Sequence, residues 1–372
     1  MTAPSWAAPA FFLAGLAAAL WRAPLPPEPA FLPPPAAALS PLPAEFRAEL
    51  LPAAAPSAHA ASLAQLPDGR IAAAWFAGSR EGAADVAVWF STLEPDDWTP
   101  PRPIARREGT ARGTQSHVRK LGNPVLYAQG DRLHLWYVSA AVGGWAGSSI
   151  NHALSVDGGA TWSGPEKLVA SPFFNISTLV RTPPVPLADG GLGLPAYHEF
   201  IGKQGEWLRL AADGRILDKV RLPSERPTLQ PAVVALDPHR ALAWLRDAGP
   251  GPGQVRVAAT GDGGRTWEAR PPLPLGNPNS SLAVLRLPSG RLLLAGNPGE
   301  GRHILALWLS EDEGRTWKAA RTVETAADDG AEFSYPALLL ARDGRIHLAW
   351  TWRRQGIKHA AFSEAWLLGQ EP

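Results

Sequence analysis

Three octads in this chain share the pattern S/T-x-D-x-G-x-T-W: SVDGGATW at Ser155–Trp162, TGDGGRTW at Thr260–Trp267 and SEDEGRTW at Ser310–Trp317. Five fixed positions met three times in one chain mark an internal repeat, and a repeat dictates the architecture. The octad has the physics of a tight hairpin. Asp followed by Gly supplies side-chain-to-backbone hydrogen bonds and a positive φ, so the chain can reverse. The closing Trp is a large apolar plate that can wedge between neighbouring sheets. A weaker copy, STLEPDDW at Ser91–Trp98, keeps only the ends of the pattern. The octad Asp is therefore read as a fold staple rather than a metal ligand or a catalytic group.

A second repeat runs through the same region. Six segments read as apolar strand, turn and returning strand, with turns near Gly69, Gly130, Gly190, His239, Gly290 and Gly344. Their spacing of roughly 50 to 60 residues is that of a four-stranded propeller blade. Turn-bounded strands support hairpins, and no helix-period stretch competes with them. The expected fold is all-β: a six-bladed β-propeller of four-stranded antiparallel blades. Each octad follows the third strand of its blade, so octads and hairpin turns share one face of the disc. The opposite face collects the starts of first and third strands and the ends of second strands. Asn123, Gln230 and Tyr335 lie at first-strand starts there. Arg80 and Glu81, Tyr197 and Glu199, Arg246, and Arg353 with Arg354 lie at second-strand ends, and Arg302 opens a third strand. His59, Arg181, Arg226 and Asn279 fall on the same face. Because first strands lie nearest the axis, these residues should crowd a central pocket suited to a small, oxygen-rich, anionic ligand.

Composition narrows the function classes. A net charge of +1 over 372 residues, with no evident basic or acidic block, argues against nucleic acid as the main partner. The absence of Cys excludes disulfides and thiolate chemistry. Sixteen Trp against four Tyr suits the stacking of sugar rings. Residues 1–22 contain an apolar run, Ala8–Trp21, that reads as an export signal or a short anchor, the chain's one expected link to a membrane. Residues 23–50 read as a Pro-rich linker and 51–366 as the propeller. The expected location is periplasmic or secreted. His303, His347 and His359 form no ligand-spaced set, so no metal or other cofactor is expected.

The octads are Asp-boxes, and with them the chain resembles the sialidase (neuraminidase) superfamily, in particular bacterial sialidase-like proteins with BNR repeats, over about residues 55 to 365. The resemblance implies an exo-glycosidase that removes a terminal acidic sugar, sialic-acid-like or uronate, from a glycan. It implies Arg246, in LRDAGPGPGQVRVAATGDGG, and Arg302, in GRHILALWLSEDEG, as the clamp on the sugar carboxylate. It implies Tyr335, in EFSYPALLLARDGRIHLAW, as nucleophile and Asp85, in WFAGSREGAADVAVWF, as general acid/base, with Glu81 as its rival. Two positions depart from the pattern. Gln230 stands where the superfamily supplies the Glu that activates the Tyr, and His59-Ala60-Ala61-Ser62 stands where the first clamp arginine is expected. Glu199, Glu225 or Glu332 are the substitutes for the Glu, and Arg80, Arg354 or Arg181 those for the arginine. These departures keep two other readings open: a glycan-binding propeller without catalysis, and a lyase acting on a uronate-containing polysaccharide.

Overall fold

The computed structural model describes residues 9–10, 12–15, 28–33, 42–95, 97–171 and 175–369. Among these residues twenty-five strands form six antiparallel sheets, arranged as the blades of a six-bladed β-propeller. Blade 1 runs Ser57–Gln65, Ile71–Gly78, Ala87–Leu93 and Arg102–Ala105, from the axis outward. Blades 2 to 5 open with Lys120–Gln129, the short pair Leu179–Val180 and Val185–Pro186, Thr228–Ala235, and Ala283–Arg286. Blade 6 comprises Phe333–Leu340, Ile346–Trp352 and Gly356–Phe362, and its outer strand comes from the other end of the chain. Phe46–Leu50 pairs there, Phe46 opposite Phe362 and Leu50 opposite Lys358. This pairing closes the ring and moves the start of the propeller from residue 51 to residue 46. The Pro-rich stretch before it hid a short strand whose Phe46 stacks on Phe362 and Trp366. Further upstream Phe31 is buried edge-on against Trp207, so part of the expected linker docks on the disc. Among the described residues no helix is long and apolar enough to cross a membrane. The apolar run of residues 8–21 lies mostly outside them.

The octads act as blade-to-blade staples. In each, the Asp carboxylate accepts from the Thr two places before the Trp's C-terminal neighbour and from the opening hydroxyl: Asp312 takes Thr316 N at 2.9 Å, Thr316 Oγ1 at 2.6 Å and Ser310 Oγ at 2.8 Å. Asp157 and Asp262 repeat the arrangement. The Gly after each Asp turn, Gly159, Gly264 and Gly314, has φ of +89°, +88° and +82°. A Cβ on it would strike Phe90, Trp207 or Trp244 of the preceding blade at 2.6, 2.7 and 2.9 Å. The octad Trp then packs on the same aromatic, Trp162 on Phe90, Trp267 on Trp207 and Trp317 on Trp244, at 6.0, 5.7 and 5.9 Å between ring centres. The weak copy does likewise: Trp98 is buried and meets His359 of blade 6 edge-on at 5.1 Å.

Two local features lie outside the periodicity. An α-helix, Arg107–Thr114, connects blades 1 and 2. Its sequence REGTARGT has no apolar stripe, and its one buried residue, Thr110, hydrogen-bonds Tyr137 at 2.9 Å. The second feature is a recurring bulge. The inner strand loses register at His59/Ser62, Gly122/Val125, Leu229/Ala232 and Ser334/Ala337. The first skipped residue has a positive φ each time: Ala60 +57°, Asn123 +41°, Gln230 +50° and Tyr335 +54°. In three of the four the second is Pro, which has no N–H to give the ladder. Left-handed backbone at a side chain other than Gly is costly and gathers at functional sites.

Candidate functional site

The bulges decide what reaches the axis. By breaking the pleat at one depth in several blades, they place Asn123, Gln230 and Tyr335 on one mouth of the channel. Gln230 donates Nε2 to the Tyr335 hydroxyl at 3.3 Å and to the Tyr197 hydroxyl at 3.4 Å, and Asn123 Nδ2 donates to Tyr197 at 2.8 Å. Arg246 donates Nη1 to both Gln230 Oε1 and the Tyr335 hydroxyl at 3.0 Å, and Nε to Asn279 Oδ1 at 2.6 Å. Arg302 donates to Glu332 at 2.9 Å and to the Asn279 carbonyl at 2.7 Å. Arg354 completes the circuit by donating to Glu332 and to Glu81. The hydrogen bonds thus run round the axis from blade 2 to blade 1, through side chains supplied by all six blades or the loops that open them.

Of the residues singled out in the sequence, Tyr335, Gln230, Arg246, Arg302, Arg354, Glu81, Asn123 and Tyr197 meet in this ring. Asp85, Arg80 and Glu199 sit differently. Asp85 is exposed and its carboxylate accepts from Ser79 N at 2.9 Å and Ser79 Oγ at 3.0 Å, bonds that hold it below the usual carboxylate range. Arg80 is exposed at the entrance to a neighbouring cleft. Glu199 is half-buried beside the ring, and burial pushes its carboxyl up even though Arg246, Lys203 and Lys120 pull the other way.

The charges within the ring are unevenly matched. Burial raises Glu332, but the hydrogen bond from Arg354, with His59, Ser334 and Arg302, outweighs it and holds the carboxyl at about 2. Glu332 therefore pairs with both Arg302 and Arg354, and Glu81 gives Arg354 a second carboxylate. Among the described residues Arg246 has no carboxylate within ion-pair distance, and its three hydrogen-bond partners are neutral. The Tyr335 hydroxyl likewise receives two N–H donors and, among the described residues, has no carboxylate as a hydrogen-bond partner.

Beneath the ring lies Arg181, 2 % exposed. It crosses from blade 3 to donate to the carbonyls of Ala61 (3.1 Å), Tyr335 (2.7 Å) and Pro336 (3.1 Å), which leaves its Nε unpartnered. It therefore supports the backbone of the Tyr335 bulge from below instead of replacing the missing clamp arginine. Below it the channel narrows to a void of about 30 Å³ and then widens at the octad face into an apolar mouth of about 550 Å³. Ala60 occupies the blade 1 bulge where other blades present Asn, Gln or Tyr, and its N–H donates to Thr351 Oγ1 at 3.1 Å. His59 fills the space beside it, its ring centre 4.2 Å from that of Tyr335.

Asn279, Arg181 and His59 were visible on the correct face in the sequence, and Glu332 was named there only as a substitute for the missing Glu. Their roles were not, because each acts on a residue more than twenty positions away or through a backbone carbonyl. Among the described residues no group of three or more His, Asp or Glu side chains could hold a metal ion. The histidines pair instead: His347 with His359 and His134 with His152, each at 2.9 Å. Burial lowers all four, to about 4 for His134, His152 and His347 and to about 3 for His359. The unfolded chain takes up these protons below about pH 6.5, while the folded chain resists until about pH 4, so stability is lost as pH falls through that window. Each such group contributes up to about 1.4 kcal/mol per pH unit. Denaturant titrations followed by Trp fluorescence should show that decline. Unchanged stability from pH 7 to pH 4 would mean that the pairs are not buried neutral.

Fold and site together define a sialidase-like propeller. The chain belongs to the BNR repeat-like domain family, whose model matches residues 69–348. Among solved structures it is similar to the Hadza microbial sialidase Hz136, with a TM-score of 0.68 and 17% identity over 83% of this chain and 66% of that one. It is also similar to the intramolecular trans-sialidase from Ruminococcus gnavus (TM-score 0.65, 14% identity, 87% of this chain and 98% of that one). The Trypanosoma rangeli sialidase matches with a TM-score of 0.65 at 12% identity, over 84% of this chain but only 56% of its own. The chain thus spans just under two thirds of the Hadza sialidase and little over half of the trypanosomal one. No curated protein matches it.

Proposed function

We propose that the axial mouth binds the terminal acidic sugar of a glycan, sialic-acid-like or uronate, and that the chain is a glycan-recognition propeller. The observation that carries this reading is Arg246: a half-buried guanidinium that, among the described residues, hydrogen-bonds to neutral groups alone and so has no carboxylate in direct contact to compete with that of a ligand. Guanidinium–carboxylate pairing supplies both strength and orientation. Arg302, Asn123 and Gln230 contribute polar contacts around the ring of the sugar. The family and the sialidases among its structural neighbours support a glycan partner. Action outside the cytoplasm, by export or anchoring through residues 1–22, belongs to the same proposal.

Hydrolysis is the second reading, favoured by the Tyr335 hydroxyl at the heart of the ring. In it Tyr335 attacks the anomeric carbon and Glu199 serves as acid better than Asp85. A general acid must be protonated near the working pH, and burial raises Glu199 whereas Ser79 lowers Asp85. Recognition is the stronger reading because a phenol nucleophile needs a base beside it to lose its proton as it attacks, and the groups on the Tyr335 oxygen are donors. Aryl glycosides of sialic and uronic acids separate the two. Binding without release of the chromophore is expected. Release that stops in Tyr335→Phe would establish the hydrolase and overturn the recognition-only reading.

A further inference from the structure

Charge that balances over the whole chain is concentrated locally. Residues 102–120, joining blades 1 and 2, hold six Lys or Arg side chains against the single acid Glu108, a local excess of five. The fold turns part of this excess into a cleft of about 500 Å³ on the site face, between blades 1 and 2. Its lining includes Arg80, Arg107, His117, Arg119 and Lys120 and, among the described residues, no Asp or Glu. Arg107 is paired with Glu108 at its rim, at 2.8 Å. Neither Arg80 nor Arg119 has a carboxylate within ion-pair distance among the described residues.

The cleft adjoins the ring. Lys120 lies where Glu81, a ring member, and Glu199, beside Arg246, both act on its charge. Its ammonium rests over the Trp145 ring at 3.8 Å, which fixes the shared wall. Gly82 brings the chain close to the Lys120 stem: a Cβ there would sit 3.6 Å from its Cδ. A glycan whose terminal sugar occupies the axial mouth has this cleft as a neighbour for the sugars that follow.

We propose that the cleft is a second anion subsite, taking a carboxylate or sulfate on a sugar beyond the terminal one, so that the preferred ligand is a polyanionic glycan. The inference rests on the acidic-sugar reading of the axial mouth. One-signed charge in a concave site raises the local concentration of an oppositely charged ligand and makes binding salt-dependent.

The test uses the full chain and direct calorimetric binding with four probes: glucuronic acid, a trisaccharide whose one charge is its terminal uronate, a tri-uronate, and the sulfated counterpart of the singly charged trisaccharide. The wild type is expected to bind one or both polyanions about tenfold more tightly than the singly charged trisaccharide, the worth of one charge-assisted hydrogen bond. The two polyanions tell carboxylate from sulfate. Arg107→Ser/Arg119→Ser should erase that preference and leave the glucuronic acid affinity unchanged, and Arg119→Glu should reverse it. A preference that survives both variants, or a wild type that binds neither polyanion more tightly than the singly charged trisaccharide, would overturn the subsite. Failure to bind glucuronic acid, with polyanion binding still lost in the double variant, would sink the axial reading and leave the cleft standing.

Discussion

Arg246→Ala is expected to weaken binding of an acidic monosaccharide about 100-fold, while Arg302→Ala weakens it much less. The difference follows from what each guanidinium already holds. Arg302 is bonded to Glu332 at 2.9 Å, and Glu332 also accepts from Arg354. A ligand carboxylate arriving at Arg302 must compete with a fixed anion whose pKa is held at about 2. Among the described residues Arg246 has Tyr335, Gln230 and Asn279, all neutral, as its hydrogen-bond partners. A hydrogen bond to a charged group contributes about 1.5–3 kcal/mol, so losing two, partly offset by water, costs about 3 kcal/mol, roughly two factors of ten. Arg246→Lys should recover only a small part, because an ammonium cannot present two parallel donors. Titration of glucuronic and sialic acids into the three variants decides the matter. Equal losses from Arg246→Ala and Arg302→Ala would show that Glu332 does not shield its neighbours and that the clamp is shared.

The propeller was legible because its determinants are local and repeated. A turn recurs every blade, and an octad fixes which face each strand end occupies. That bookkeeping placed Arg246, Arg302 and Tyr335 on one rim although they are scattered over ninety residues of chain. What stayed hidden depends on long-range partners. Asp85 fits its motif by spacing, yet its carboxylate turns to Ser79, six residues back. The outer strand Phe46–Leu50 is specified by its pairing with Gly356–Phe362, some three hundred residues on, and not by its own pattern. The helix Arg107–Thr114 has too little apolar surface to announce itself. The bulges left a trace that could have been read: Asn123-Pro124, Gln230-Pro231 and Tyr335-Pro336 recur at one depth of the inner strand. A Pro inside a strand that otherwise reads as central signals a break in the ladder.

Those bulges make Gln230 the most informative position for chemistry. Its amide lies 3.3 Å from the Tyr335 hydroxyl, and its orientation is fixed because Oε1 accepts from Arg246. The group facing the phenol is therefore an N–H donor, which cannot remove a proton. Gln230→Glu changes that one property and keeps the length and branching of the side chain. The introduced carboxylate would accept from Arg246 on one oxygen, which keeps it ionised, and from the phenol on the other. A positioned base contributes roughly 10²–10⁴ to a rate. The expected result is hydrolysis of an aryl sialoside or uronide where the wild type shows none, abolished again by adding Tyr335→Phe. The same change places a fixed anion on Arg246, so ground-state affinity for the sugar should fall as turnover appears. A variant that still binds the sugar, with its fold intact by circular dichroism, yet releases no aglycone would show that the missing base is not the barrier. The fault would then lie with the empty position at Ala60 or with a phenol that cannot reach the anomeric carbon, and the propeller's role would be recognition alone.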